Sequence, residues 1–329
     1  MASGRDLHTP VCNLLGIETP IVQAGMSKGY TSAELVAAVS EAGGLGILGA
    51  LFRGAEELRS EIIRTRELTS RPFGVNHVIS QLDREAFEVT LEEQPALLSL
   101  AWGDGTELTE HAHQHGIRVI HQVTTVEEAE AVVAGGADVI VAQGTEGGGH
   151  VGGISTLPLV PAVVDAVAPT PVLAAGGIAD GRGLAAALML GAQGALIGTR
   201  FLATPEAPVS GRLRDALLAS PGSDTVASKF LDDVLGLDWP GAQLRTLRHA
   251  LLDEWADRPG QWNDSADQLR PSLQNALSTG EFVLAGEAAG LIHDILPAGS
   301  LVRRIAQEAV DALMGWDEPK DSANIPSSR

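Results

Sequence analysis

Short apolar runs alternate with amphipathic segments along the first two thirds of the chain. The runs are rich in Val, Ile, Leu and Ala and are typical of buried strands, whereas the segments between them carry apolar positions at helical spacing. Strands that alternate with helices pair in parallel through right-handed crossovers, and here each strand begins roughly 20–33 residues after the last. The pattern predicts an α/β fold, a (β/α)8 TIM barrel. Its predicted strands lie near Ile21–Ala24, Leu45–Gly49, Phe73–Asn76, Leu97–Ala101, Arg118–Gln122, Val139–Gln143, Val172–Ala175 and Ala195–Gly198.

The pattern changes after the eighth predicted strand. Residues 203–281 contain repeated prolines, and tryptophans lie there among polar segments with helical spacing. We interpret this part as a mostly helical insertion that lies over the barrel as a lid. Residues 1–202 and 282–316 are predicted to form the barrel itself. The Pro- and Ser-rich tail, residues 317–329, is predicted to be disordered.

Charge and composition narrow the classes of partner. The chain of 329 residues carries 42 acidic and 22 basic side chains, which give a formal net charge of −20. Such a surface repels phosphate backbones and anionic lipid, so neither nucleic acid nor a membrane is expected as a partner. The apolar runs are shorter than a membrane span, and the first residues lack the apolar core of a signal peptide. We therefore expect a cytoplasmic enzyme with a small-molecule substrate.

One glycine motif matches the expression of a dinucleotide-binding fingerprint. Gly44, Gly46 and Gly49 satisfy G-x-G-x-x-G. That fingerprint requires a strand before the glycines and a helix that opens within them. Here a helical segment precedes the glycines, which themselves lie in the second predicted strand. We interpret the motif as a turn followed by a tightly packed barrel strand.

Glycines follow the last two predicted strands, where barrels frequently bind phosphate. Gly176 and Gly177 follow the seventh strand, and Gly198 and Thr199 follow the eighth. Backbone N–H groups at such glycines, and at helices that begin soon after, bind an anion without a basic side chain. The sequence therefore predicts a phosphate site, which suits either FMN or a sugar phosphate.

Amide side chains and one histidine accumulate on the same rim of the predicted barrel. Asn76, Gln122 and Gln143 lie at strand ends, and a flavin ring needs neutral donors and acceptors along its pyrimidine edge. His150 follows three glycines in the loop after the sixth strand, where a general base with a pKa near neutrality would reach a bound substrate. We predict a flavin site with His150 as its catalytic base.

Other histidines and one tryptophan are weaker candidates. His77 and Trp102, which follow strand ends, are predicted to contact the substrate. The single cysteine, Cys12, makes no zinc site. No metal is expected, because the clustered histidines fall on a predicted surface helix without nearby carboxylate or cysteine partners: His111, His113 and His115.

Several motifs in order resemble the nitronate monooxygenase family, formerly called 2-nitropropane dioxygenases. They are Pro20–Met26, Ala42–Gly46, Pro72–Asn76, Glu146–Gly152, Ala174–Gly181 and Gly198–Phe201. The resemblance implies a TIM barrel that binds FMN non-covalently. It also implies that His150 removes a proton from neutral nitroalkanes. The flavin then accepts an electron from the nitronate and reacts with O2, and the products are a carbonyl compound and nitrite.

The resemblance also indicates which residues hold the flavin. The matching positions are Gln23, Ala24, Gly25, Met26, Asn76, Gln143, Gly176, Gly177, Gly198 and Thr199. We add residues that flank the same strand ends and the glycine-rich loop, namely Gln122, Gly148, Gly149, Gly152, Gly153 and Ile197.

The same motifs resemble FMN-dependent enoyl-ACP reductases and related NADH:quinone oxidoreductases. The alternative function is therefore an NAD(P)H-dependent reductase for an enoyl thioester or a quinone. A flavin-free barrel aldolase or sugar-phosphate isomerase is a further alternative, but no lysine for a Schiff base lies in a predicted strand. The expected second substrate is O2 or NAD(P)H, and a homodimer is left open.

Overall fold

Parallel strands form the centre of the protein, as predicted. The computed structural model describes residues 7–255, 258, 261–278 and 282–317. Its barrel strands are hydrogen-bonded in the order β1-β9-β8-β6-β5-β4-β3-β2, and each pair is parallel. In chain order, the strands are β1 (Ile21–Gln23), β2 (Gly46–Gly49), β3 (Phe73–Val78), β4 (Leu97–Ala101), β5 (Arg118–Val123), β6 (Val139–Gln143), β7 (Gly149–Val151), β8 (Val172–Ala175), β9 (Gly194–Ile197), β10 (Thr225–Ser228) and β11 (Gln243–Leu247).

The sheet closes between β1 and the residue that precedes β2. Val22 and Leu45 form a parallel bridge. The Gln23 N–H donates to the Leu45 carbonyl at 2.8 Å, and the Leu45 N–H donates to the Ile21 carbonyl at 3.0 Å. The strands therefore form a (β/α)8 TIM barrel, and the predicted fold class is confirmed.

Helices follow the barrel strands and cover the sheet. Several begin at a polar N-cap whose side chain accepts a backbone N–H, among them Ser32, Thr125 and Asp180. The helices are α1 (Pro10–Leu15), α2 (Ala33–Glu41), α3 (Ala55–Leu68), α4 (Arg84–Glu93), α5 (Thr106–Gln114), α6 (Val126–Ala134), α7 (Thr156–Val167), α8 (Gly181–Met189), α9 (Thr199–Leu202), α10 (Gly211–Ala219), α11 (Phe230–Leu235), α12 (Ala250–Trp255), α13 (Gln261–Ser278) and α14 (Ala298–Asp317), and short 3-10 turns cover Ile79–Gln81 and Glu287–Leu291.

Aliphatic side chains fill the barrel and the layer between strands and helices. Val22, Ile120 and Leu173 belong to one buried cluster, which Val11 and Leu15 of α1 join. The second layer includes α14, which packs against both α8 and α2. Helix α14 therefore lies between α8 and α2 in the layer of helices around the barrel, although the insertion separates it from β9 in the sequence.

The segment between β9 and α14 contains a small antiparallel sheet as well as helices. Its strand β10 pairs with β11, and β11 pairs in turn with β7, so that the order is β10-β11-β7. Only the helices of this segment are expected from the sequence, because both strands are short and carry polar residues. Since β7 lies in the loop after β6, this sheet joins the insertion to the rim of the barrel.

The G-x-G-x-x-G glycines serve close packing, as predicted. Gly46 and Gly49 lie in β2, which follows helix α2. A Cβ on Gly46 would collide with the backbone of Val36, and one on Gly49 would collide with the carbonyl of Met26. The preceding element is a helix, Gly44 lies in the turn that follows it and the other two glycines are within a strand, so the motif lacks the strand-turn-helix context of a dinucleotide fingerprint.

The predicted disordered tail, residues 317–329, lies outside the described residues, except for Asp317, with which α14 ends. Within the described part of the chain, no helix is both long enough and apolar enough to cross a membrane.

Candidate active site

A cavity opens at the carboxyl ends of the barrel strands, beside the insertion. We call it the rim cavity. His150 and Trp102, predicted to act in catalysis and substrate contact, both line it. Most of the predicted cofactor residues also line it, namely Ala24, Gly25, Met26, Asn76, Gln122, Gln143, Gly148, Gly149, Gly176, Gly177, Gly198 and Thr199. The strand ends thus bring together residues that are far apart in the sequence.

Three amide side chains lie together on one side of the rim cavity. Gln122 Nε2 donates a hydrogen bond to Gln143 Oε1 at 3.0 Å, and Ser99 Oγ donates to Asn76 Oδ1 at 2.9 Å. These bonds engage the oxygens of Asn76 and Gln143 and the nitrogen of Gln122. The other amide atom is therefore a donor on Asn76 and Gln143 and an acceptor on Gln122. This donor and acceptor set can bind a planar ligand with complementary edge atoms.

Glycines at the ends of β8 and β9 form another side of the rim cavity. Gly176 and Gly177 have φ angles of 100° and 74°, a left-handed conformation that favours glycine. A Cβ on Gly176 would lie 2.9 Å from Thr156 Oγ1. Thr199 Oγ1 accepts a hydrogen bond from the Gly286 N–H at 3.0 Å. The glycines leave the backbone open to the cavity, and Thr199 ties it to the segment after the insertion.

The start of α8 contributes less to this side than the sequence suggests. Asp180 Oδ1 accepts hydrogen bonds from the N–H groups of Arg182 and Gly183, at 3.0 and 3.1 Å. The Gly181 N–H donates to Glu308 Oε2 at 3.0 Å. The first amides of α8 are thus bonded within the protein. An anion here would rely on the strand-end glycines, because the helix is already capped.

His150 lies on β7, where it pairs with Leu244 of β11. Its Nε2 is 3.1 Å from both carboxylate oxygens of Asp232, and the side chains are 13% and 6% exposed. The imidazole stacks on the Trp239 indole, with ring centroids 3.4 Å apart and planes 11° apart. Trp102 approaches both rings edge-on, at centroid distances of 6.3 and 6.1 Å. We call His150, Trp239 and Trp102 the aromatic cluster.

The carboxylate of Asp232 determines which imidazole nitrogen can act as a base. Because an ionised carboxylate only accepts hydrogen bonds, Nε2 of His150 carries the hydrogen. In the neutral ring, Nδ1 then holds the free lone pair. If Nδ1 takes a proton, the resulting imidazolium is stabilised by the adjacent, nearly buried carboxylate. The arrangement can therefore take up a proton at Nδ1, which is the chemistry that a general base requires.

Asp232 and Trp239 are functional candidates that the sequence analysis misses. Both belong to the insertion, and Asp232 is 82 residues from its partner His150. The signal that could have identified Asp232 is its position in the otherwise apolar segment Phe230–Leu235, beside Asp233. A carboxylate that is buried among apolar residues is uncommon. Further lining residues that the sequence analysis does not identify are Ser27, Tyr30, Leu51, Glu146, Leu284 and Ala288.

Polar contacts hold the glycine-rich loop in place. The Glu146 carboxylate accepts hydrogen bonds from Thr156, at 2.9 Å from the N–H and 2.8 Å from the hydroxyl. The Glu146 carbonyl accepts from the Glu287 N–H at 3.0 Å. From β11, Arg245 Nε donates to the Thr145 carbonyl at 2.9 Å. The loop that carries His150 is thus tied to α7, to the segment after the insertion and to the insertion sheet.

Some predicted cofactor residues lie outside the lining of the rim cavity. Gln23 is fully buried in the sheet, where its Oε1 accepts from the Ile47 N–H at 3.2 Å. Ile197 belongs to the layer between strands and helices. Gly152 packs on Thr124, since a Cβ there would lie 2.5 Å from the threonine Cβ. Gly153, next to it, would have no atom within 4 Å of an added Cβ.

His77, a predicted substrate residue, faces α4 instead of the rim cavity. Its Nε2 is 2.8 Å from Thr90 Oγ1, and its ring packs edge-on against Phe87 at a centroid distance of 5.6 Å. Burial lowers the pKa of His77 to about 4, so the ring is neutral at pH 7. The physical reason is strand alternation: Asn76 points to the rim cavity, so its neighbour in β3 points to the helices.

The clustered histidines of α5 have separate partners. His113 Nε2 is 2.9 Å from Asp138 Oδ2, and His115 Nδ1 is 2.9 Å from the His111 carbonyl. In the part of the chain that the structure describes, no group of three or more His, Cys, Asp or Glu residues is arranged to hold a metal ion.

Known proteins resemble this chain in fold and in sequence. A family model described as nitronate monooxygenase matches residues 8–87 and 81–308. Two similar solved structures are FabK from Thermotoga maritima, with 35% identity, coverage of 94% of this chain and 99% of that chain, and a TM-score of 0.84, and the nitroalkane oxidase from Streptomyces ansochromogenes, with 31% identity, coverage of 93% and 99%, and a TM-score of 0.81.

A curated relative has a different named activity. The (3aS,4S,5R,7aS)-5-hydroxy-7a-methyl-1-oxo-octahydro-1H-indene-4-carboxyl-CoA dehydrogenase of Mycobacterium tuberculosis is 39% identical over 75% of this chain and 68% of its own length. The relatives thus share an oxidoreductase scaffold but differ in their named activities. The chain is an oxidoreductase, and it belongs to the nitronate monooxygenase family.

Proposed function

We propose that the protein is an FMN-dependent nitronate monooxygenase that oxidises small alkyl nitronates with O2 to a carbonyl compound and nitrite. The observation that carries this proposal is the pair formed by His150 Nε2 and the Asp232 carboxylate, 3.1 Å apart. His150 lines a cavity whose polar groups are complementary to a flavin. A nitroalkane becomes a nitronate by loss of the proton next to its nitro group. A base at this position would form the nitronate from a neutral nitroalkane inside the cavity.

The residues of the rim cavity fit FMN. The pyrimidine edge of the flavin ring carries an N–H between two carbonyl oxygens, an acceptor-donor-acceptor order. Asn76 and Gln143 can each supply a donor and Gln122 an acceptor, because their other amide atoms are engaged. Glycines 176, 177 and 198 provide the open backbone that a phosphate needs. When bound, FMN supplies electron acceptance and the reaction with O2.

In this proposal His150 handles the proton. Its Nδ1 takes the proton from the carbon next to the nitro group, and the proton stays on the imidazole while Asp232 balances the charge. The stacked Trp239 holds the ring in one orientation and, with Trp102, limits the access of water. A substrate supplied as a preformed nitronate has no proton to lose, so it needs less from this pair.

The second candidate is reduction of an enoyl thioester with NAD(P)H. Its support is the similarity to FabK and to the carboxyl-CoA dehydrogenase of M. tuberculosis, which are as similar to the chain as the nitroalkane oxidase is. In that reaction the pair of His150 and Asp232 would hold a proton for the product. The same cavity would serve both reactions.

Turnover assays on FMN-reconstituted protein separate the two candidates. In air, ethylnitronate should release nitrite in step with O2 consumption, whereas NADH and NADPH should be oxidised slowly and without stimulation by crotonyl-CoA. Nitrite release supports the first candidate. Fast NAD(P)H oxidation that depends on the enoyl thioester, with no nitrite from the nitronate, would replace it with the second.

A further inference from the structure

A second cavity lies directly beside the aromatic cluster. It has a volume of about 520 Å³ and is lined by Ile79, Trp102, His121, Val123, Val132 and Pro240, among other residues. We call it the outer groove. Trp102 and Gln122 line both the outer groove and the rim cavity. The insertion contributes to both as well. Its Trp239, which stacks on His150, lines the rim cavity, and the next residue, Pro240, lines the outer groove. The two spaces are therefore adjacent through shared side chains.

The backbone at Trp102 is held in an unfavourable conformation. Trp102 has a φ of 63°, and Gly103 has a φ of 151°. A left-handed conformation is unfavourable for a non-glycine residue, because its Cβ lies too close to the following carbonyl oxygen. A Cβ on Gly103 would lie 2.7 Å from Ile79 Cγ2, so this turn packs closely on another residue of the groove. Such conformations concentrate at ligand sites, where the surrounding structure maintains them.

The groove is mainly apolar and carries no positive charge. No Lys or Arg is among its lining residues. His121 forms part of the floor with 2% exposure, and burial lowers its pKa, so the ring is neutral at pH 7. Two carboxylates also line the groove, those of Asp104 and Glu128. Hydrogen bonds from Thr106 lower the pKa of Asp104, so it is ionised at neutral pH.

We propose that the outer groove is a substrate subsite that binds the uncharged apolar chain of the substrate, while the reacting group lies at His150 in the rim cavity. The proposal rests on the proposed function and adds a substrate class to it: nitroalkanes and nitronates with a medium-length alkyl or alicyclic substituent. The carboxylates of Asp104 and Glu128 repel an anionic chain end. Phosphate-bearing ligands are disfavoured in the groove for the same reason.

A chain-length series tests the subsite. From nitroethane to 1-nitrohexane, kcat/KM should rise about threefold to fourfold for each methylene that enters the groove. In Ala131→Trp, which places an indole on the groove side of α6, the rise should disappear while the nitroethane value stays within twofold. Ala134→Trp is the matched control on the same helix, because Ala134 is exposed and outside the groove lining, and it should keep the rise.

A comparison of a charged with an uncharged substrate is a second test of the subsite. We expect kcat/KM for 6-nitrohexanoate to be at least tenfold lower than for 1-nitrohexane. Equal values for the two compounds, or a rise with chain length that survives in Ala131→Trp, would overturn the subsite.

A binding measurement distinguishes failure of the subsite from failure of the proposed function. If neither nitroalkanes nor preformed nitronates are turned over, the proposed function fails. Calorimetric titration of the FMN-loaded protein with octanamide then tests whether the groove binds an apolar chain. Octanamide should bind wild type and Ala134→Trp alike and Ala131→Trp at least tenfold more weakly. Absence of binding to wild type, or equal binding to all three proteins, would refute the subsite.

Discussion

The His150 imidazole lies flat on the Trp239 indole, with ring centroids 3.4 Å apart, while its Nε2 contacts the Asp232 carboxylate at 3.1 Å. One residue of the barrel loop is thus oriented by two residues of the insertion. The insertion thus contributes side chains to the candidate site. This relationship gives the predictions that follow.

Loss of the carboxylate should impair proton removal. In Asp232→Asn, Nε2 of His150 loses its charged acceptor, and the imidazolium loses its counter-charge. We expect kcat/KM with neutral nitroethane to fall by at least about tenfold. Steady-state nitrite assays measure the effect. Asp238→Asn, an exposed carboxylate of the same insertion, is the control and should keep wild-type rates. Equal rates in both variants would show that Asp232 has no part in the chemistry.

The stack on Trp239 should matter for the orientation of His150. Trp239→Leu keeps an apolar residue beside the ring but removes the flat surface. Aromatic pairs contribute roughly 0.5–1.5 kcal/mol beyond burial, which corresponds to a loss of about threefold to tenfold in kcat/KM. Trp255→Leu, a tryptophan of the insertion that does not line the rim cavity, is the control. A loss in the control as large as that in Trp239→Leu would point to a general effect on the insertion.

Gly198 offers a clean test of the glycine side of the cavity. Its φ of −106° suits any residue, and an added Cβ would make ordinary contacts with Ala24 and Met26 at 3.6 and 3.8 Å. Gly198→Ala should therefore fold normally and weaken FMN binding at least tenfold, as measured by flavin fluorescence titration of apoprotein. Gly153→Ala, outside the rim cavity, should bind FMN like wild type. An unchanged affinity of Gly198→Ala for FMN would show that the phosphate does not bind next to this residue.

Burial of His77 should make stability depend on pH. Its pKa is about 4 in the folded protein and 6.5 in an exposed imidazole such as that of the unfolded chain, so the unfolded chain binds the proton more tightly. Stability is therefore fully present above pH 6.5 and is lost as the pH falls towards 4. The loss due to this group is about 3 kcal/mol.

Urea unfolding at several pH values measures that loss. The difference in free energy of unfolding between wild type and His77→Gln should change by this amount between pH 7 and pH 4. His115→Gln, at the exposed end of α5, should show no such change. A constant difference for His77→Gln across the range would contradict the assignment.

The barrel was predictable because its strands are short Val-, Ile- and Leu-rich runs that end in glycine or amide residues. Leu97–Ala101, Val139–Gln143 and Val172–Ala175 match their predicted bounds, and the other barrel strands differ by one or two residues at their ends. The strands Thr225–Ser228 and Gln243–Leu247 were not predicted, since they carry polar residues, pair with each other and are joined to the barrel loop only through the pairing of β11 with β7. Pairing of that kind is a tertiary effect that a local pattern does not contain.

The candidate site was predictable where it follows from strand ends. Asn76, Gln122 and Gln143 line the rim cavity because they lie at the carboxyl ends of parallel strands. Asp232 was not predictable, because its contact with His150 spans 82 residues and depends on how the insertion folds back. His77 was predicted as a substrate residue because it is next to Asn76 in the sequence. Adjacent residues of a strand face opposite sides of the sheet, so His77 points away from the rim cavity.

Anaerobic stopped-flow mixing of FMN-loaded protein with neutral nitroethane tests the central claim most directly. In wild type the flavin absorbance should bleach with both nitroethane and preformed ethylnitronate. In His150→Ala, bleaching by nitroethane should slow by about 10²–10⁴-fold, while bleaching by ethylnitronate should remain within severalfold of wild type. Equal rates for wild type and His150→Ala with nitroethane, or a protein that binds no FMN, would contradict a proton-abstracting histidine beside a flavin.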